Sequence, residues 1–155
     1  MLRCLNVKMT KNGFTLIEIL IVIGIIVILA GISVPIFKNY QPTLQLNGAV
    51  RNLISDLRYA QQLALTEQIE YCLQFPTNFP TDRKYKIIQC SGGQPLKEVS
   101  LPDKITNLSF TDFLDNQVEF NPYGAVKKSG TITLKNTKGD EKIIDVKPSG
   151  FVKIK

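Results

Sequence analysis

Histidine is absent from the 155 residues. Imidazole metal sites, Ser-His-Asp machinery and a histidine general base are therefore excluded. The sequence also lacks a P-loop, a nucleophile placed beside a base and any metal-ligand spacing. A hydrolase would have no chemistry to work with, and no cofactor or metal is implied. Cysteine is scarce, with only Cys4, Cys72 and Cys90. Charge is scarcest between Phe14 and Phe37, where Glu18 is the sole charged side chain in 24 residues.

That run, GFTLIEILIVIGIIVILAGISVPIF, is long enough to cross a hydrocarbon core of roughly 30 Å at about 1.5 Å per helical residue. Arg3, Lys8 and Lys11 precede it with no acidic residue among them, and only Lys38 follows directly. This asymmetry keeps the N-terminus in the cytoplasm and sends everything after residue 38 across the membrane. The order of parts is inverted relative to a secretory signal, because the basic stretch ends in Lys11-Asn12-Gly13 before the apolar region begins. Cys4 follows Met-Leu-Arg, without the small residues that precede a lipid-modified cysteine. Met9 offers an alternative start that leaves a shorter leader of the same kind. With Cys4 on the cytoplasmic side or removed, Cys72 and Cys90 form an even pair outside.

The stretch KNGFTLIEIL, residues 11–20, resembles the processing signal of type IV prepilins and type II secretion pseudopilins. The family pattern falls on Gly13, Phe14 and Glu18, and Pro35 stands where many members carry a helix-bending proline. The resemblance implies cleavage between Gly13 and Phe14 by a prepilin peptidase, then N-methylation of Phe14. It also implies an α+β, type IV pilin-like fold, in which a long N-terminal helix packs on a C-terminal antiparallel β-sheet domain. Residues 1–13 would be the cleaved leader, 14–38 the transmembrane helix, 39–68 its amphipathic continuation and 69–155 the extracytoplasmic β domain. Partners would be the cytoplasmic membrane, the peptidase and other pilin or pseudopilin subunits.

Elementary electrostatics gives Glu18 a role beside that resemblance. A carboxylate in hydrocarbon is costly. Cleavage would create a cationic amine at Phe14, four residues earlier and on the same helix face. In a stack of parallel helices the carboxylate meets the amine of the next subunit in a low dielectric and sets axial register. The plainer reading is a side chain that snorkels to the interface. Gly24 and Gly31, seven apart, would let a neighbouring helix approach closely. Pro35 deletes one backbone hydrogen bond and is expected to bend the helix.

Beyond Gln41-Pro42-Thr43, expected to kink or break the helix near residues 38–43, apolar residues recur at Leu46, Val50, Leu53, Leu57, Ala60 and Ala64. This is one stripe of an amphipathic helix, with Arg51, Asn52, Ser55, Asp56, Arg58, Tyr59 and Gln62 on the other faces. From residue 69 the period becomes two. Ile69–Phe75 and Lys84–Cys90 read as a hairpin centred near residue 81, which places Cys72 opposite Cys90. A disulfide there is one reading, and two reduced thiols the other. Residues 91–117 are irregular, with a strand near Ile105–Phe110. Gln117–Asn121, Thr131–Lys135, Glu141–Val146 and Phe151–Lys155 read as an antiparallel meander separated by turn residues.

This ending is similar to GspH/FimT-like pseudopilins and minor pilins, through Phe120-Asn121-Pro122-Tyr123-Gly124 and Ser149-Gly150-Phe151-Val152-Lys153. The resemblance implies a noncatalytic subunit of a type IV pilus or type II secretion filament. Some FimT-like relatives bind DNA through a Gly-Arg-x-Arg tail, whereas this chain has Gly150-Phe151-Val152-Lys153. Lys153 and Lys155 keep charge able to touch phosphates without reading sequence, so a DNA-binding minor pilin is the alternative. Residues 127–155 hold eight lysines against Asp140, Glu141 and Asp145, an excess that also suits a solvated surface.

Overall fold

The computed structural model describes residues 13–113 and 115–155. The expected leader apart from Gly13, with Met1, Arg3, Cys4, Lys8, Met9 and Lys11, lies outside the described residues. The chain divides into two compact units, one ending at Asn39 and one running from Tyr40 to Lys155. A single helix, α1, is assigned over Leu16–Glu67. The break expected near residues 38–43 is not present, since helical hydrogen bonding continues through both Pro35 and Pro42. Each proline removes only one donor from the ladder, and the Pro42 ring is buried, so packing offsets that loss.

Within the second unit the stripe Leu46, Val50, Leu53, Leu57, Ala60 and Ala64 is buried throughout. Its 3.6-residue period presents one apolar face to the sheets. Two four-stranded antiparallel sheets meet it. The first contains β1 (Tyr71–Gln74), β2 (Lys84–Gln89), β3 (Lys97–Ser100) and β5 (Gln117–Phe120) in the order β3-β2-β1-β5. The second contains β4 (Ile105–Thr111), β6 (Gly130–Asn136), β7 (Glu141–Val146) and β8 (Val152–Ile154) in the order β4-β6-β7-β8. Tyr71, Leu73, Tyr85, Ile87, Val118 and Phe120 of the first sheet and Ile132, Leu134, Ile144 and Val146 of the second share one buried cluster with the stripe.

Three expectations change. The last third is not one meander, because β5 pairs with β1 and only β6, β7 and β8 follow one another. The connection from Phe120 to Gly130 is too long for a tight hairpin, which frees β5 to join the other sheet. Strand β3, within the stretch expected to be irregular, has almost no apolar alternation. It is an edge strand held by its ladder to β2 and by Lys84 and Lys86 paired with Glu98. The β1–β2 register is offset from the expected one, so Cys72 faces Ile88 and the Cys90 N–H donates to the Glu70 carbonyl at 3.0 Å. A shift of two residues keeps Cys90 on the same face as Cys72, and the two form a disulfide with Cα atoms 5.1 Å apart.

Asp56 is a further correction, because it belongs to the buried stripe rather than to the polar faces, at 4% exposure. It lies three residues after Leu53 and four before Ala60, hence on their side of the helix. Its carboxylate accepts from the Tyr85 hydroxyl at 2.7 Å and from Lys97 Nζ at 2.5 Å. A buried carboxylate needs such partners, and this pair ties the helix to both β2 and β3. Burial, reinforced by Asp56, pushes the Tyr85 hydroxyl far above its ordinary value.

The two C-terminal motifs singled out in the sequence meet on the helix. Gln61 Nε2 donates to the Gly124 carbonyl at 2.7 Å. Gly150, with φ of 78°, lies so close that a Cβ there would collide with that carbonyl and with the Gln61 amide. Only glycine meets both demands. The Val126 N–H also donates to the Pro148 carbonyl at 3.0 Å, so the two turns pin each other.

Two measurements follow from this packing. Tyr85 ordinarily ionises near 10.0 and resists doing so when folded, so the fold retains a proton that the unfolded chain releases. Stability is therefore full below pH 10 and falls as pH rises above it. Tyr71 is raised in the same direction, by burial first and its Glu67 hydrogen bond second. Tyr85→Phe should flatten but not abolish the alkaline loss in pH-dependent unfolding, while costing about 1–3 kcal/mol at neutral pH for the Asp56 oxygen left short of a donor. Removing the disulfide, which spans 18 residues, by Cys72→Ser with Cys90→Ser should cost about 3 kcal/mol in urea unfolding followed by tyrosine fluorescence.

Candidate processing and assembly site

Thr15 begins the helix. Its hydroxyl accepts a hydrogen bond from the Glu18 N–H at 3.3 Å, a donor it shares with the Thr15 carbonyl at 3.1 Å, so the first-turn amide is held by the residue before the helix. Thr15-Leu16-Ile17-Glu18 has the spacing of a capping box, in which the third residue after the cap is acidic. The cap was legible in the sequence as Thr-x-x-Glu, although only the Phe14–Glu18 spacing drew attention to this turn. Glu18 also stands in the first turn, where the positive end of the helix dipole favours a carboxylate.

Phe14 and Glu18, matched to the processing pattern from sequence, are brought together. They line one shallow apolar depression of about 260 Å³ with Ile19, Val22 and Ile23. Phe14 is 80% exposed, and Gly13 before it is exposed as well. Both residues flanking the Gly13–Phe14 peptide bond are thus exposed, and an α-amine on Phe14 would lie four residues before the Glu18 carboxylate.

The most apolar window of α1 is buried nowhere in the chain. Residues from Leu16 to Phe37 present isoleucine, leucine and valine on every side, all exposed. A helix apolar all round needs lipid or other helices against it. Beyond the helix's own backbone, nothing lies within 4 Å of where a Cβ of Gly24 or Gly31 would stand, so both offer open backbone to such a neighbour. Pro35 lies within the same exposed stretch.

The remaining candidates lie in the second unit. Lys153, on β8, lines a groove with Arg51 and Arg58, two helix cations seven residues apart that sequence reading placed only on the polar side. Lys155 follows β8 and is not part of that groove. Cys72, Cys90 and Glu119 bring their ligand atoms within 4.8 Å of one another. The sulfurs are bonded to each other and Glu119 pairs with Lys127, so this cluster has no thiolate to offer a metal.

Residues 8–34 match the prokaryotic N-terminal methylation motif, and residues 49–150 match the family described as type II transport protein GspH. A fimbrial protein of Pseudomonas aeruginosa is 38% identical over 77 residues, 50% of this chain and 47% of that protein. The chain thus spans about half the length of the curated relatives it matches. Among solved structures, the type IV minor pilin FimU of Pseudomonas aeruginosa superposes with a TM-score of 0.59 at 17% identity, covering 75% of this chain and 92% of that one. The minor pseudopilin EpsH of Vibrio cholerae gives 0.58 at 11% identity, covering 72% and 96%. At these identities the likeness is one of fold.

The cap is testable by itself. Thr15→Val should destabilise the first turn by about 1 kcal/mol. Faster amide exchange at Ile17, Glu18 and Ile19 in micelles, with residues beyond Val22 unchanged, would register it.

Proposed function

Because the chain belongs to the GspH family of type II transport proteins, among the minor pilins and pseudopilins, we propose that it is a noncatalytic subunit of a type IV pilus or type II secretion filament. The observation that carries this reading is the pairing of Phe14 and Glu18 in one depression at the head of an apolar helix that its own chain leaves wholly exposed. Residues 1–13 are the leader, cut by a prepilin peptidase after Gly13, and Phe14 is then N-methylated. Residues 14–38 cross the membrane with the N-terminus cytoplasmic, 39–68 carry the amphipathic continuation, and 69–155 form the extracytoplasmic β domain. Pro35 lets the helix bend where it leaves the bilayer.

Assembly follows from the cost of the charges. The new amine and Glu18 partly neutralise each other within one chain while it rests in the membrane. When the helix joins a bundle of others, water and headgroups leave, and the carboxylate takes the amine of the adjacent subunit instead. A low dielectric strengthens that pair and penalises any register that leaves either charge alone. The apolar sides supply contact area and the pair supplies axial position.

Mass spectrometry of the native N-terminus should give N-methylated Phe14, and a terminus at Met1 or Met9 would contradict the processing. Glu18→Ala should remain membrane-inserted yet enter filaments poorly, read as the ratio of filament-bound to membrane-bound chain. Normal incorporation would remove the register role.

A further inference from the structure

The groove between the helix and β8, with a volume of about 510 Å³, is walled by Arg51, Ile54 and Arg58 on one side and by Phe151, Lys153 and Ile154 on the other. Among the described residues, no acidic side chain lines it. Among the described residues, Arg51, Arg58 and Lys153 enter no ion pair. Asp145 sits across from Lys153 in the β7–β8 register and still makes no ion pair with it. Phe151 and Ile154 are 57% and 47% exposed, outside the membrane-spanning stretch where such exposure has another explanation. Three cations that enter no ion pair among the described residues, interleaved with apolar side chains, form a surface suited to an anionic, partly apolar occupant.

The backbone narrows the class. Strand β8 is the outermost strand of its sheet, so one of its edges has no strand beside it among the described residues. The Lys147 N–H donates to the Phe151 carbonyl and the Lys155 N–H to the Ile143 carbonyl, which fixes the alternation of the ladder. Residues 151, 153 and 155 turn their backbone groups toward β7, and Val152 and Ile154 turn theirs toward the free edge. An exposed edge of this kind is a template for an added strand. Arg51 and Arg58 stand about two helical turns apart, roughly 10 Å along the axis. An extended peptide rising about 3.3 Å per residue brings side chains of one face to both.

We infer that β8 and the facing helix surface bind an extended acidic peptide segment of another protein, which adds a strand at the Val152–Ile154 edge and meets Arg51, Arg58 and Lys153 with its carboxylates. Nucleic acid would use the same cations but would leave the edge amides and carbonyls unanswered, so the peptide accounts for more of the surface. This inference concerns the second unit and is independent of how the apolar helix assembles.

The probe is a fluorescent heptapeptide of alternating Glu and Val, titrated by polarisation with the full chain in micelles of a neutral detergent. Binding is expected, weakened about tenfold or more by Arg51→Ala with Arg58→Ala and by added salt. The same peptide N-methylated at every backbone amide keeps its charge and has no N–H left on either edge to extend a sheet, so it should bind at least about tenfold more weakly to the unaltered protein. Equal binding of the N-methylated peptide would overturn strand addition. A single-stranded oligonucleotide that binds more tightly than the peptide would overturn the peptide in favour of nucleic acid, and absence of peptide binding would overturn the inference outright.

Discussion

One helix must satisfy two different surroundings, and the rest of the molecule is arranged around that constraint. From Tyr40 onward a single stripe of α1 is buried under two sheets, while the window before it has no buried residue at all. The β domain can compensate the conformational entropy of the second half only. The first half is apolar all round and exposed, which calls for lipid or for other helices, and in the assembly we propose its lone carboxylate limits which of their positions are acceptable. A pilin-type subunit is therefore a folded head attached to an unsatisfied surface. On the function we propose, the subunit acts by satisfying that surface.

The head is held to the helix by polar contacts as well as by the apolar cluster. Asp56 joins the helix to Tyr85 and Lys97, and Gln61 joins it to the two glycine turns. Thr43 donates to the Asp140 carboxylate at 2.9 Å, beside the β6–β7 turn. These contacts are short-ranged and directional, so they fix which part of the stripe meets which strand. Apolar burial alone would tolerate sliding by a turn. The Asp140 carboxyl is held below its ordinary value by hydrogen bonds from Asn136 first and Thr43 second, which makes this tie one that acid weakens.

Legibility in the sequence followed signal type. The stripe, the strands Lys84–Gln89 and Glu141–Val146 and the Gly13-Phe14-Glu18 pattern rest on periodicity or on a fixed motif, both local properties. Strand β3 carries charge instead of alternation, so its edge position was visible only through its partners. Asp56 was assigned to solvent because charge was read as exposure, and only the placement of Tyr85 and Lys97 reveals why burial is tolerated. The pairing of β5 with β1 is nonlocal and leaves no trace in either segment. The Arg51, Arg58 and Lys153 groove is likewise made by the fold, since two of its members lie on the helix and one nearly a hundred residues later. At Pro42 the break that a local helix-breaking signal allowed does not occur, because the residue is buried in the tertiary packing of α1.

The proposed assembly depends on what lies beside Glu18 in the fibre. Solid-state NMR can measure this directly in filaments where ¹³C is confined to the Glu18 carboxylate of this chain and ¹⁵N to the N-terminal amine of the other subunits. Dipolar recoupling should place the two within about 4 Å, the reach of an ion pair. A Glu18 carboxylate with no ¹⁵N amine near it, in filaments that nevertheless contain the chain, would contradict the claim that this charge sets the register of assembly.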